Sequence, residues 1–419
     1  MRGRFPPKVV VLAALVGVGA VPALGQVRPA DLNPPTFTLR TSIKAGVFVS
    51  RTPDPGGLTS HGASTDSLFR VRFEPQVSAG SKAVFAGAYE QRLRYTPVRA
   101  GISTVGILPP TTAAPYRIRQ LDWSLSESAG RTWRHEIDRA SARVHVGSAD
   151  ITVGRQAVGW GRGVMFGAVD LFAPFSPLEA DRDWRRGIDA VRADVKLADR
   201  SSVDLVGAFG TSWDRSLVAG RLRGYAGKVD LEVMGGRRAR DLFGGFTTSA
   251  AVGGAEVHGE LAAFRTPSTA STADGRVVWK AVAGGSYRFP LGSGLLTYAE
   301  YHYSGFGARS PADIFNLLST PDFMERYVRG DTQILSHHAT AVLASYEASP
   351  EVTLSGHWLH NPRDRSGVIV PGIALTFSDR LSMTGAGYLP YGASPLGARL
   401  RSEYGAAHVS AFAQLRIYL

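Results

Sequence analysis

From Thr36 to the last residue the chain alternates apolar and polar positions, the period of two that an extended strand shows when its two sides meet different surroundings. Lys82 to Tyr95 is the clearest case: Phe85, Tyr89, Leu93 and Tyr95 share one side with Ala83 and Gly87, while Lys82, Glu90, Arg92 and Arg94 take the other. Phe69, Val71 and Phe73 likewise oppose Arg70 and Arg72, and Ala299, Tyr301 and Tyr303 oppose Glu300 and His302. The same pattern predicts strands at 36–50, 67–79, 116–126, 133–146, 150–160, 187–198, 201–213, 216–225, 228–238 and 242–252. Further ones follow at 255–265, 276–289, 294–304, 335–348, 351–360, 367–377, 380–389 and 403–419. Helix is expected only within Pro311 to Arg329, where Ile314, Leu317, Leu318 and Phe323 leave room for a turn or two.

The connections between these segments fall into two populations. Short ones sit at Gly80-Ser81, Asp199-Arg200, Gly253-Gly254, Ser349-Pro350 and Ser378-Asp379, and long ones run over 51–66, 161–186, 266–275, 305–334 and 390–402. Long and short alternate from Leu419 back to Tyr116, as the outer loops and periplasmic turns of a bacterial membrane barrel do. Before Tyr116 the alternation fails, leaving nineteen segments where single-chain bacterial barrels have an even number. Either Gly101 to Leu108 hides a further strand or a weak segment such as Leu242 to Val252 is not one. The expectation is an all-β fold: one transmembrane antiparallel β-barrel over 36–419, of about 18 strands within a range of 16–20.

The N-terminus differs in kind. Arg2, Arg4 and Lys8 precede an apolar run from Val9 to Val21, and Ala23-Leu24-Gly25 precedes a cut at Gln26, so residues 1–25 read as a signal peptide and 26–35 as a Pro-rich leader. No later apolar stretch is long enough to span a bilayer as a helix. Cysteine is absent, which excludes disulfides and thiolate metal sites. The 48 Gly and 24 Pro suit a chain of many turns. Val409, Ala411, Ala413, Leu415, Ile417 and Leu419 alternate with Ser410, Phe412, Gln414, Arg416 and Tyr418, although Leu419 stands where such barrels usually end in an aromatic residue read by the assembly machinery. Tyr95, Trp123, Trp133, Trp160, Trp213, Tyr225, Tyr388 and Tyr391 lie near strand ends, where interfacial aromatic girdles belong.

Charge sharpens the functional reading. The 47 basic residues exceed the 35 acidic ones by 47 − 35 = 12, and 41 of the 47 are Arg. Arg recurs at i and i+2, in Arg70/Arg72, Arg92/Arg94, Arg117/Arg119, Arg221/Arg223 and Arg238/Arg240, which sets both guanidinium groups on one side of a strand. A charge facing lipid at the midplane costs about 2–4 kcal/mol, so these pairs point inward, or else sit at strand ends on lipid phosphate or pair with Asp and Glu across strands. Turned inward they make Arg70, Arg72, Arg92, Arg94, Arg155, Arg221 and Arg223 candidate pore-lining residues that favour anions. Catalytic chemistry finds little support: His337-His338 points opposite ways on a strand, and Ser355 with His357 at i, i+2 is a pairing that chance supplies easily. The doublets Gly235-Gly236 and Gly244-Gly245 lack the strand-to-helix setting of a phosphate loop. No cofactor, metal or nucleic-acid partner is called for, and the chain reads as a non-enzyme.

One long connection is unusual. Gly161 to Arg186 mixes Phe166, Leu171, Phe172 and Phe175 with Asp170, Glu179, Asp181 and Asp183 at neither strand nor helix spacing, and an apolar loop of that length must fold onto something. The run Ile151 to Asp194, with its GRQ, WGRG, DLFAPFSP and DRDWRRGIDAVRAD stretches, resembles Gram-negative outer-membrane barrels of the alginate-export porin type. The resemblance implies that Met165 to Phe175 folds into the pore and restricts it. Candidate constriction residues are Arg162, Asp170, Phe172, Phe175, Asp181, Asp183, Arg185 and Arg186, with the three Asp pairing to Arg155, Arg162, Arg185 or Arg186. The function expected is an outer-membrane porin or exporter that passes sugar acids, organic acids or acidic polysaccharide by passive diffusion, with outer-membrane lipid and the assembly machinery as its other partners. The alternative is a plugged barrel serving capsule assembly or surface binding, or an outer-membrane hydrolase.

Overall fold

A computed structural model of the chain describes residues 35–51, 63–96, 114–267, 276–397 and 399–419. The signal peptide expected over 1–25, the leader expected from 26 and the stretch 101–108 lie outside the described residues. In chain order the strands are β1 (Thr36–Arg51), β2 (Ala63–Ala79), β3 (Ala83–Tyr95), β4 (Asp122–Ser128), β5 (Arg131–Val146), β6 (Ala149–Gln156), β7 (Ile188–Ala198), β8 (Ser201–Ala208), β9 (Leu217–Ala226) and β10 (Val229–Arg238). They continue as β11 (Asp241–Val252), β12 (Ala255–Arg265), β13 (Val277–Phe289), β14 (Leu295–Ser304), β15 (His338–Ser349), β16 (Val352–Asn361), β17 (Ser366–Ser378), β18 (Leu381–Tyr391) and β19 (Val409–Tyr418). Two short helices, α1 (Ile314–Leu318) and α2 (Pro321–Arg329), fall inside the stretch where the apolar spacing allowed helix.

Every neighbouring pair is antiparallel and the sheet closes on itself, Ile43 of β1 facing Val71 of β2 on one edge and Ile417 of β19 on the other. The barrel has 18 strand positions although nineteen strands are present among the described residues. β5 pairs with β3 along its length, but on its other edge β4 covers the half from Asp122↔Glu136 to Ser128↔Arg131 and β6 the half from Ala140↔Arg155 to Val146↔Ala149. β4 and β6 therefore share one place in the wall. The segment that upset the even count was the one expected at 116–126, while Leu242 to Val252 is a full strand. Tyr116 and Leu121 have φ of 54° and 49°, which no strand accommodates, and Tyr116 and Arg117 turn into the lumen instead.

The two sides of the wall are sorted as the alternation requires. Leu222, Val233 and Leu261 face outward and are 44–57% exposed to what would be lipid, while Arg72 and Lys280 on the other phase are 2% and 0% exposed. Trp123, Trp133, Trp213, Tyr95 and Tyr225 lie outside near strand ends, as expected of a girdle. Trp160 and Tyr388 do not: both are buried inside the barrel, Trp160 because its indole N–H donates to Asp204 at 2.9 Å. That inward turn also ends β6 at Gln156, four residues before the expected end. β19 starts at Val409, later than expected, because Glu403 is pulled aside to accept the backbone N–H of Leu335 (2.9 Å) and the side-chain amide of Asn361 (2.8 Å).

Candidate functional site: the segment across the lumen

Between β6 and β7 the chain leaves the wall and crosses the interior. Val158, Trp160, Met165, Phe166, Ala168, Val169, Leu171 and Phe172 are buried there, packed with inward-facing Val206, Leu217, Met234, Phe264, Val278 and Val282 from β8 to β13. Those wall positions offer the segment an apolar face, and burial of each large side chain contributes about 1.5–3 kcal/mol to docking.

Backbone polar groups carried into such a place need partners, and two carboxylates supply them. Glu260 of β12 accepts from the N–H groups of Arg162, Gly163 (2.8 Å), Ala168 (2.7 Å) and Val169 (3.3 Å). Glu300 of β14 accepts from those of Val164, Met165 and Phe166, the last two at 3.0 Å. The WGRG run now has a physical reason. Gly161 has φ of 105° and a Cβ there would lie 2.7 Å from a Glu260 oxygen, and a Cβ on Gly163 would overlap the Phe166 carbonyl. Gly167 N–H donates to Gln333 at 2.7 Å, tying the segment to the connection after α2.

The far end is fastened by charge to the opposite wall. Asp181 accepts from Lys44 of β1 (2.8 Å) and Arg70 of β2 (3.3 Å), and Asp183 from Lys44 (2.6 Å), Arg416 (3.4 Å) and the Tyr418 hydroxyl (3.0 Å). Trp184 lies beneath Lys44 (3.7 Å) and Arg72 (5.0 Å to the ring centre). Burial opposes ionisation of Asp181, yet Arg70 and Lys44 outweigh it and hold the carboxyl below its ordinary range. Arg186 is pulled down to about 10 by burial and stays charged at neutral pH.

The pairings differ from those expected in all but one case. Asp170 does meet Arg185, at 2.5 Å. Asp181 and Asp183 instead take Lys44, Arg70 and Arg416; Arg155 pairs with Asp189 at 2.7 Å, and Arg162 with Asp230 and Glu232. Spacing along the chain had offered only partners near in sequence, whereas the segment reaches the far wall. Phe172 is fully buried against Trp160, and Phe175 lies under Arg182 and Arg185.

Each of the seven arginines expected to line the lumen does point inward, and each meets a carboxylate. Arg70 and Arg72 meet Glu90, Arg92 meets Glu90 and Glu136, Arg94 meets Asp66, and Arg221 and Arg223 meet Glu232. Arg155 completes the set through Asp189. These seven charges are thus compensated, whereas the ammonium of Lys280 on β13 is buried without a hydrogen-bond partner. Among the described residues Arg182 and Arg186 have no carboxylate within 4.0 Å, and Arg182 donates to the carbonyls of Val164 (3.4 Å) and Ser176 (3.3 Å) and to the Met165 sulfur (3.9 Å). A cavity of about 390 Å³ opens beside Trp160, Phe175, Arg182 and Arg185, and a second of about 160 Å³ lies between Leu178–Ala180 and β16 to β19.

The residues that fasten the segment, Lys44, Glu260, Glu300 and Trp184, escaped sequence reasoning as site residues. A signal existed for Glu260: it stands on the inward phase of β12 just before Ala262 and Phe264, and a carboxylate so placed requires a donor from inside the lumen.

No known protein family and no curated protein matches this chain by sequence. Solved structures do. Pseudomonas aeruginosa OccK9 (OpdG) superposes with a TM-score of 0.56 at 9% identity, covering 91% of this chain and 98% of that one. A BenF-like porin from Pseudomonas fluorescens Pf-5 gives 0.53 at 9% identity over 91% and 98% of the two chains. P. aeruginosa OccK5 (OpdH) gives 0.51, again at 9% identity and over 91% and 98%. At such identities the likeness shows the fold alone: a closed 18-strand antiparallel β-barrel like those of the solved porins.

Proposed function

We propose that the protein is an outer-membrane channel passing small anionic solutes by passive diffusion, its lumen narrowed by the stretch Gly161 to Arg186. The observation that carries the reading is the route of that segment, docked on β12 and β14 at one end and on β1, β2 and β19 at the other, with cavities left beside it. Anion preference draws support from Arg182 and Arg186, cations of the segment with no carboxylate within 4.0 Å, and from the chain's net charge of +12. Cavities of this size favour sugar acids or organic acids over an acidic polysaccharide. Kinship with alginate-export porins rests on the WGRG and DRDWRRG stretches, and outer-membrane lipid and the assembly machinery are the further partners proposed.

The dense apolar cluster around Phe172 and Leu171, both 0% exposed, favours the second reading, a plugged barrel with a binding or assembly role. Liposome swelling separates the two. Faster swelling in gluconate than in a neutral sugar of similar size supports the channel, and no swelling in either supports the plug.

A further inference from the structure

The 390 Å³ cavity lies within the crossing segment: except for Glu260 and Gln333, every residue that lines it falls between Ala157 and Arg185. Its volume is that of about thirteen waters at bulk density. Gln333 bridges two parts of its wall, Oε1 accepting the N–H of Gly167 (2.7 Å) and Nε2 donating to the carbonyl of Phe175 (2.8 Å), so both ends of that amide are engaged. The indole N–H of Trp160 is likewise taken, by Asp204. No Ser, Thr or Tyr lines the cavity among the described residues, and Val158, Trp160, Met165, Phe166 and Phe175 make its lining largely apolar.

Four charged side chains line it, and three are already answered. Glu260 accepts its four backbone N–H groups. Asp170 takes Arg185, whose guanidinium also donates to the Ala173 carbonyl (3.1 Å) and fits against Gly159, where a Cβ would lie 2.8 Å from the guanidinium carbon. Arg182 is the fourth. It has no carboxylate within 4.0 Å among the described residues, Glu179 and Glu300 attracting it from farther off. Of its five N–H donors, those on the terminal nitrogens make contacts of 3.3 to 3.9 Å, longer than the roughly 2.9 Å of a well-made bond, and its Nε is buried without a partner. The Phe175 ring centre lies 5.7 Å from the Arg182 guanidinium carbon and 5.5 Å from that of Arg185. A planar cation with donors to spare, on the wall of an apolar cavity that offers no hydroxyl, is complementary to a carboxylate carrying an apolar body.

We propose that this cavity is a binding site for a small monocarboxylate with an apolar body, a branched-chain or aryl acid, Arg182 taking the carboxylate and Trp160, Met165 and Phe175 the remainder. A sugar acid would bring hydroxyls to a lining with no side-chain group left to pair them, and is disfavoured there. Gln333 and the Asp170–Arg185 pair fix the walls, so the site is formed before the ligand arrives. The proposal rests on the channel reading above for the solute's access to the lumen, and adds to it the cation and a preference among organic acids.

The test is isothermal titration calorimetry on the full protein in detergent micelles, with isovalerate, its neutral amide isovaleramide, and gluconate as probes. Wild type is expected to bind isovalerate about tenfold or more tightly than either of the others. Arg182→Gln is expected to weaken isovalerate about tenfold or more and to bind it no better than isovaleramide, a ratio that does not depend on the fraction of protein folded. Arg182→Lys, which keeps the charge without the fork, is expected to fall between the two. Lys196→Gln, which removes an exposed cation far from the cavity, should change the affinity less than about twofold. Gluconate bound as tightly as isovalerate, an Arg182→Gln protein that still prefers isovalerate to its amide, or an equal loss in Lys196→Gln overturns the site. Binding of isovalerate by a protein that passes no current in planar bilayers leaves the site standing and overturns the channel reading instead.

Discussion

Glu260 is the sharpest place to perturb the segment without touching the wall. Its two oxygens accept four backbone N–H groups from 162–169, so Glu260→Gln removes the charge and turns an amide N–H₂ toward donors that have no other acceptor. A hydrogen bond to a charged group is worth about 1 kcal/mol more than a neutral one, and the amide keeps only one accepting oxygen. The docked state should therefore lose about 2–4 kcal/mol, which raises the undocked population about 30- to 700-fold. The strand ladder is untouched, so the barrel should remain folded and resistant to detergent. In proteoliposomes, tryptic cleavage at Arg162, Arg182, Arg185 and Arg186 should quicken in proportion to that population, and mean single-channel conductance should rise. Cleavage and conductance indistinguishable from wild type would refute the claim that this carboxylate holds the segment in place.

Other outcomes follow from the same geometry. Val233→Arg, on the outward face opposite Leu222, should cost about 2–4 kcal/mol of stability in urea unfolding from vesicles, and no cost would mean the faces are reversed. Asp331→Asn breaks a buried set with Arg238 (2.5 Å) and Arg329 (2.6 Å) and should cost about 3–5 kcal/mol, read as faster hydrogen exchange in α2, whereas unchanged protection would show that the helix does not depend on it. Asp181 has a depressed carboxyl, so the stability it lends is full above the unfolded value of about 3.9 and is lost as pH falls through the lower folded value. Conductance should hold steady from pH 8 to 5 and increase only below about pH 4; an increase centred near pH 6 would contradict the ion pairing. Trp184→Ala removes the aromatic face beneath Lys44 and Arg72 and should loosen the 181–186 end, seen as faster cleavage there with 162–169 unchanged.

The barrel was legible in the sequence because one property repeats along the whole chain: each strand shows lipid one face and the lumen the other, as Phe69 and Arg70 do. The inward segment was legible for a related reason, since Phe166, Leu171 and Phe172 in a long loop need cover. What alternation does not encode is which groups meet inside. Phase put Glu260, Glu300, Lys44 and Arg70 in the lumen, but their partners in the segment are 91 to 139 residues away along the chain, and only closure of the barrel brings them together. The same limit explains the segment at 116–126, where Arg117 and Arg119 imitate a strand phase although the backbone at Tyr116 and Leu121 turns away. The aromatic residues Trp160 and Tyr388 were misplaced because a girdle and a lumen packing site impose the same residue type at a strand end.

The central claim is that the crossing segment narrows the barrel without sealing it. Single-channel recording of the purified wild-type protein in a potassium chloride gradient tests this most directly. Small, discrete current steps with a reversal potential on the anion side are expected, and a membrane that stays silent with folded protein inserted would contradict it.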